Sequence, residues 1–332
     1  MKIISVAPGL LAALVIAASF IFPAAALADE TVRIGISSNS LAYGGLRIAK
    51  QLGLFKENGI DAKITVLDSG SAATAALISD STEFAGSGPG EALAARAKGI
   101  DIKIVANIYS GFPAPVVLSA KAVKKLSAAA SASVAERFKA LDQLSIAVPS
   151  ATSALLSPVR ESAKNEDAVP HFVYMAQPTM SAALQTGAID GFVASSPYWV
   201  TSVLNRTGVV WLQTQHGELD SKFKPASAAV LQVRADYAAA HPKTVATMRA
   251  VFAELADRIR KDPDGAFRAL IAAFPQVSAD VLRVAFDSDS ANWANPSFTA
   301  DNVRQEISLL AATTPIDGLN DLDPSAVITA VK

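Results

Sequence analysis

The residues best placed to do chemistry lie in EFAGSGPGEALAARAKG, from Glu83 to Gly99. An apolar strand-like run ends in Gly86-Ser87-Gly88-Pro89-Gly90, and an alanine-rich helix follows at once. Glycine-rich turns of this kind hold phosphates, but a dinucleotide fingerprint needs a third glycine where this chain has Glu91. A carboxylate there repels a pyrophosphate, and no Gly-Lys-Ser/Thr follows to make a P-loop. The loop therefore reads as the wall of a ligand pocket. Glu91 has two readings: an acid in a first helical turn is favoured by the helix dipole, and an acid facing a cleft can hold an amine or a ring N–H.

Other catalytic chemistry has no signature. His171, His216 and His241 are far apart and lack metal-ligand spacing. The chain has no cysteine, which removes thiolate chemistry, cysteine-ligated metal and disulfides. No G-x-S-x-G is present. We assign no catalytic residue, no metal and no cofactor.

A second pattern recurs along the chain. Strand-like runs end in small polar residues just before helix-like runs: Ser38, Asn39 and Ser40; Ser69, Gly70 and Ser71; Ser87 and Gly88; Ser150, Thr152 and Ser153; Ser195 and Ser196. In open parallel sheets ligands sit at the carboxyl ends of strands. Each such serine can cap a helix, and its hydroxyl can equally be offered to a ligand. Tyr43, Tyr109 and Tyr198 adjoin these ends, with Phe112, Trp199 and Trp293 completing an aromatic set expected where two lobes meet.

The elements that must position these residues alternate. Strands are predicted at 32–37, 62–67, 83–86 and 102–109, with helices at 44–52, 71–78 and 89–98 between them. Dense punctuation at Gly111-Phe112-Pro113-Ala114-Pro115 marks a boundary, and the alternation then repeats from Val116 to Leu212. Lys121 to Leu141 reads as a surface helical insertion. Beyond a strand at 228–233 the chain is helical, with Val245, Met248, Val251, Phe252, Leu255 and Ile259 on one face of a long helix. Short strands alternating with helices give an α/β fold of mainly parallel sheets flanked by helices.

Composition limits the partners. The 332 residues are 51% hydrophobic and 18% charged, with a net charge of −1. That balance gives no basic field for nucleic acid. At the N-terminus, Lys2, the apolar run IISVAPGLLAALVIAASFIF and Ala26-Leu27-Ala28 describe a secretory signal peptide over residues 1–28. The apolar run is also about long enough for a membrane anchor, but Pro8, Pro23 and the small residues that follow favour cleavage. The expected location is periplasmic.

Three blocks in order resemble one family. GLRIAKQLGLFKENGIDAKITVLDSGSAATAALISDSTEFAGSG resembles the start of periplasmic solute-binding proteins of the nitrate/sulfonate/taurine group, which also includes binders of thiamine-pyrimidine precursors. LSIAVPSATSALLSPVRESA with MSAALQTGAIDGFVASSPYW, and then YAAAHPKTVATMRAV, are similar to the family's later segments. The resemblance implies a two-lobed, type II periplasmic-binding-protein-like fold whose lobes close on a small-molecule solute. Lobe 1 would be residues 29–111 with 216–332, and lobe 2 residues 112–215, with hinges near Pro113 and Gln213. It implies a monomeric, non-enzymatic protein that delivers its solute to an ABC permease in the inner membrane. A pyrimidine-synthesis-like enzyme on the same fold and a sensory module for a membrane receptor are the alternatives. By the same resemblance the loops named above would contact the solute. None of these loops carries an arginine or lysine to neutralise an oxyanion.

Overall fold

The computed structural model describes Met1 and residues 29–67, 69–149, 153, 155–219, 223–224, 227–314 and 316–329. The signal-peptide expectation for 1–28, and Ser150 and Thr152, lie outside the described residues.

Ten strands form two five-stranded sheets. They are β1 (Glu30–Ile36), β2 (Ile60–Val66), β3 (Phe84–Ser87), β4 (Ile102–Ser110), β5 (Val116–Ser119), β6 (Ser145–Val148), β7 (His171–Tyr174), β8 (Gly191–Val193), β9 (Gly208–Leu212) and β10 (Ser227–Arg234). The first sheet runs β2-β1-β3-β10-β4 and the second β7-β6-β8-β5-β9. β1 pairs parallel with β2 and β3, and β6 with β7 and β8. One strand in each sheet is reversed: β10 lies antiparallel between β3 and β4, and β5 between β8 and β9. Both reversed strands follow a crossing from one sheet to the other, so the chain enters its new sheet from the opposite end.

Helix starts follow their capping chemistry. Ser69 accepts from the N–H of Ala72, Ser119 from that of Ala122 and Ser133 from that of Glu136, each closing a first turn. Pro89 and Pro242 open helices where a missing N–H costs nothing. In the helix Pro242–Lys261 the six apolar residues expected on one face are all buried. β3 is buried along its whole length, as a central strand covered on both faces must be.

The stretch 121–141 departs from expectation in part. It holds only short helices, Ala120–Val123 and Val134–Lys139, with Phe138 and Leu141 buried in the core of the second sheet. The Arg137 guanidinium donates to both carboxylate oxygens of Glu218 (2.7 and 2.8 Å) and to the Trp211 carbonyl (2.8 Å). The Trp211 indole N–H donates back to the Arg137 carbonyl (2.8 Å). The segment lies largely on the surface, as expected, but Arg137, Phe138 and Leu141 anchor it to β9 and to the core of the second sheet. Its alanine- and serine-rich composition hid these anchors.

Two connections join the sheets, Gly111–Pro115 and residues 213–226. They are tied together: the Thr214 hydroxyl donates to the Ala114 carbonyl, and Gly111 bridges to Ser227.

Candidate functional site

The loops at the carboxyl ends of both sheets face one another beside these connections, in two clusters. The first centres on Glu91. Its helix, Pro89–Ala97, starts where the helix Gly70–Ile78 also starts, and the carboxylate lies between them. A Cβ on Gly70 would collide with Glu91 Oε1, and one on Gly88 would come within 2.7 Å of Oε2. Both glycines are thus clearances for the carboxylate. Glu91 is held to about 7, well above its ordinary value, by burial, against the opposing pull of the Gly88 and Glu91 backbone N–H groups. Glu306, from the helix Ala300–Thr313, approaches the same place: its Oε1 lies 3.1 Å from where a Gly90 Cβ would be. Burial and then the charge of Glu91 push Glu306 up to about 8. Tyr43 completes the cluster, buried and hydrogen-bonded to Ser37, its hydroxyl raised by burial.

Not every hydroxyl in this region is open to a ligand. Ser87 is fully buried and accepts from Gln232 Nε2 (2.7 Å) while sharing a bond with Thr74 (3.2 Å). Ser69 is an exposed helix cap, and Ser71 is exposed beside it. Ser38 donates to Ser40 (3.0 Å), and Asn39 accepts from Arg47 (2.7 Å). Arg47 stands one turn into the helix Gly44–Gln51, so a cation does reach the first loop, from a position that reading the loops alone passes over.

The second cluster joins the lobes directly. The Leu41 N–H donates to the Ser196 carbonyl (2.8 Å), and the Trp293 indole N–H donates to the Leu41 carbonyl (3.0 Å). Ser196, fully buried, accepts from the Trp199 indole N–H (2.9 Å) and hydrogen-bonds to Asp289. Tyr109 donates to the same carboxylate (3.1 Å) and accepts from Asn292 Nδ2 (2.9 Å). Asp289 is 1% exposed, and burial pushes it up to about 7 against the pull of these donors. The Tyr109 phenol is raised by burial and then by the charge of Asp289. Ser195 donates its N–H and hydroxyl to Gln177 Oε1 (2.8 and 2.9 Å), and Tyr198 is half-buried with a phenol raised by burial. Ser153 caps its own loop, accepting from the Leu155 N–H (3.2 Å).

Of the residues singled out in the sequence, the structure brings Glu91, Tyr43, Gly70 and Gly88 together in the first cluster and Tyr109 and Ser196 in the second, each beside an acid that was not singled out, Glu306 and Asp289. Both had a signal. Asp289 continues the apolar face Val281-Leu282-Ala285-Phe286, and Glu306 lies between Val303 and Leu310 on theirs. A carboxylate on the buried face of an amphipathic helix needs a reason to be there.

The model of the NMT1-like family matches residues 25–274, most of the chain and most of both clusters. The chain belongs to the NMT1-like family. No curated protein matches it. This NMT1-like chain is similar in fold to a protein from Bordetella bronchiseptica RB50, at 20% identity over 91% of this chain and 95% of that one, with a TM-score of 0.70. The alkanesulfonate-binding protein SsuA from Xanthomonas axonopodis pv. citri, bound to MOPS, aligns at 17% identity over 90% and 96%, TM-score 0.68. The periplasmic nitrate-binding protein NrtA from Synechocystis PCC 6803 aligns at 14% over 90% and 86%, TM-score 0.63. These likenesses show the two-lobed binding-protein fold for this NMT1-like chain. Among the described residues no helix is long and apolar enough to cross a membrane, and no group of three or more His, Asp or Glu could hold a metal ion.

Proposed function

We propose that this chain is the exported solute-binding component of an ABC importer, capturing a small organic solute between its lobes and presenting it to an inner-membrane permease. The observation that carries the reading is that loops following strands of the two sheets meet directly, through the Leu41–Ser196 hydrogen bond, beside the cluster that holds Tyr43 and Glu91. The fold relatives support it, since SsuA is named for alkanesulfonate and NrtA for nitrate. Residues 29–111 with 216–332, and 112–215, would move as two bodies about the paired connections, burying the solute as they close. The loops at Ser38–Ser40, Ser69–Ser71, Ser87–Gly88, Ser150–Ser153 and Ser195–Tyr198 would line the closed space. The protein would work as a periplasmic monomer after removal of residues 1–28.

Thermal unfolding against solutes tests this. Protein stripped of bound solute by unfolding and refolding is scanned with sulfonates, nitrate, amines, aromatic acids and pyrimidines. A solute at about 100 times its Kd adds about 2.7 kcal/mol and raises the midpoint by several degrees. No shift with any class, together with no small molecule released from the protein as isolated, overturns the reading.

A further inference from the structure

We infer that the second lobe carries a separate site for a small, multiply charged organic oxyanion, a phosphate ester or a polycarboxylate, held by Lys121, Lys125 and Arg206. The three side chains line one pocket of about 360 Å3. It lies where β6 and β8 begin. Asp190, which also lines it, immediately precedes β8 and accepts from the Ser145 N–H at the start of β6 (3.0 Å). The loops assigned to the cleft leave the opposite ends of those two strands, so this site stands apart from the cleft and does not depend on the solute-binding reading.

Three cations against one acid leave the pocket a surplus of two positive charges. Among the described residues none of the three cationic groups has a hydrogen-bond or ion-pair partner. Cations near helix C-termini ordinarily serve the carbonyls there. Two helices, Gln177–Thr186 and Tyr198–Leu204, do end at this pocket, yet each closes its carbonyls with its own backbone. The Gly187 and Ala188 N–H groups donate to the Leu184 and Ala183 carbonyls (3.2 and 3.0 Å). Those of Arg206 and Thr207 donate to Val203 and Ser202 (2.9 and 3.0 Å). Those bonds leave the guanidinium and both ammonium groups unused.

The cations are also gathered at a local cost. Arg206 stands in the left-handed region (φ 58°) just past a helix end, the place glycine usually takes and that Gly187 does take after the other helix. A side chain there is strained. Lys121 and Lys125 are one helical turn apart on the same wall, a spacing at which like charges repel. A multiply charged oxyanion would offset both costs by bridging the three groups, each bond to it being charge-assisted. The volume falls within the range of small-molecule sites, so a carbon skeleton fits beside the charged groups.

The test is calorimetric titration of the purified protein at low salt with citrate, glycerol 3-phosphate and fructose 1,6-bisphosphate, run beside acetate and glycerol. At least one polyanion should bind with a Kd below about 1 mM and about tenfold or more tighter than acetate. Arg206→Gly, and Lys121→Gln combined with Lys125→Gln, should each weaken that binding about tenfold or more, as loss of a bond to a charged group does. Arg206→Gly should unfold at an equal or higher temperature, because glycine takes the left-handed region without strain. That separates lost binding from lost structure. Lys164→Gln, an exposed lysine of the same lobe outside the pocket, should leave the affinity unchanged. No polyanion bound, full affinity in both pocket variants, or an equal loss in Lys164→Gln each overturns the site, and none of these outcomes bears on the cleft.

Discussion

Replacing Ser196 with alanine isolates the join between the lobes. Its hydroxyl serves two partners in a dry interior, accepting from the Trp199 indole 2.9 Å away and hydrogen-bonding to Asp289. Alanine leaves the indole N–H without an acceptor, a cost of about 1–3 kcal/mol for a buried donor. Asp289 keeps Tyr109 but loses its bond from the opposite lobe, and bonds to charged acceptors contribute about 1.5–3 kcal/mol. The two effects together predict a loss of roughly 2–5 kcal/mol, since partial repacking offsets part of the sum. Only the Asp289 share crosses between lobes. A double-mutant cycle of Ser196→Ala with Asp289→Asn, read by guanidinium denaturation, should therefore give a coupling of about 1–2 kcal/mol. Small-angle scattering should show Ser196→Ala with a larger radius of gyration in the solute-free state. Additive energies with unchanged scattering would refute the claim that this contact holds the lobes together.

Other outcomes follow from the same geometry. Asp289 is raised to about 7 in the folded protein, so the stability contributed by its protonated form is complete below about 4 and is lost as pH rises to about 7. Asp289→Asn should remove that part of the decline, giving a flatter thermal midpoint between pH 4 and 7 than the parent chain. Gly70→Ala should fold, because alanine suits a first helical turn, but its methyl group must push the Glu91 carboxylate aside. Solute affinity should fall at least tenfold with little change in urea midpoint, and unchanged affinity would show that the Glu91 position is immaterial. Arg137→Ala should cost about 3 kcal/mol in urea unfolding, the lower end for a broken buried pair because Glu218 keeps 27% exposure. Arg137→Lys should recover only part of it, since lysine cannot make the two-pronged contact.

The alternating strands and helices were legible because short apolar runs and capping residues act locally. Val116–Ser119 and Ser145–Val148 lie where their sequences put them. The reversal of β5 and β10 was not legible, because strand direction depends on which end of a distant sheet the chain enters. Glu91 was legible as a question, since its place after Pro89 could serve the dipole or the cleft. The structure places it at its own helix start, where the Gly88 backbone N–H meets it, with Glu306 near by. The serines were the least decidable residues. Ser87 ends a strand and Ser196 follows one, yet the first is consumed by Gln232 within its own lobe and the second reaches across to Asp289. That difference rests on partners more than ninety residues away, which no local pattern records.

The position of β10 also sets an order of events. All five strands of the second sheet fall within Val116–Leu212, so that sheet can be completed from one continuous stretch of chain. The first sheet cannot, because among the described residues β10 is the one strand of that sheet that pairs with β4, and β10 ends at Arg234. A chain emerging N-terminus first must hold β4 and the inner edge of β3 unpaired while the whole second lobe passes. Exposed edges of this kind invite pairing with other chains. The second lobe is therefore expected to mature first, and pulsed hydrogen exchange should find the amides of β4 protected last.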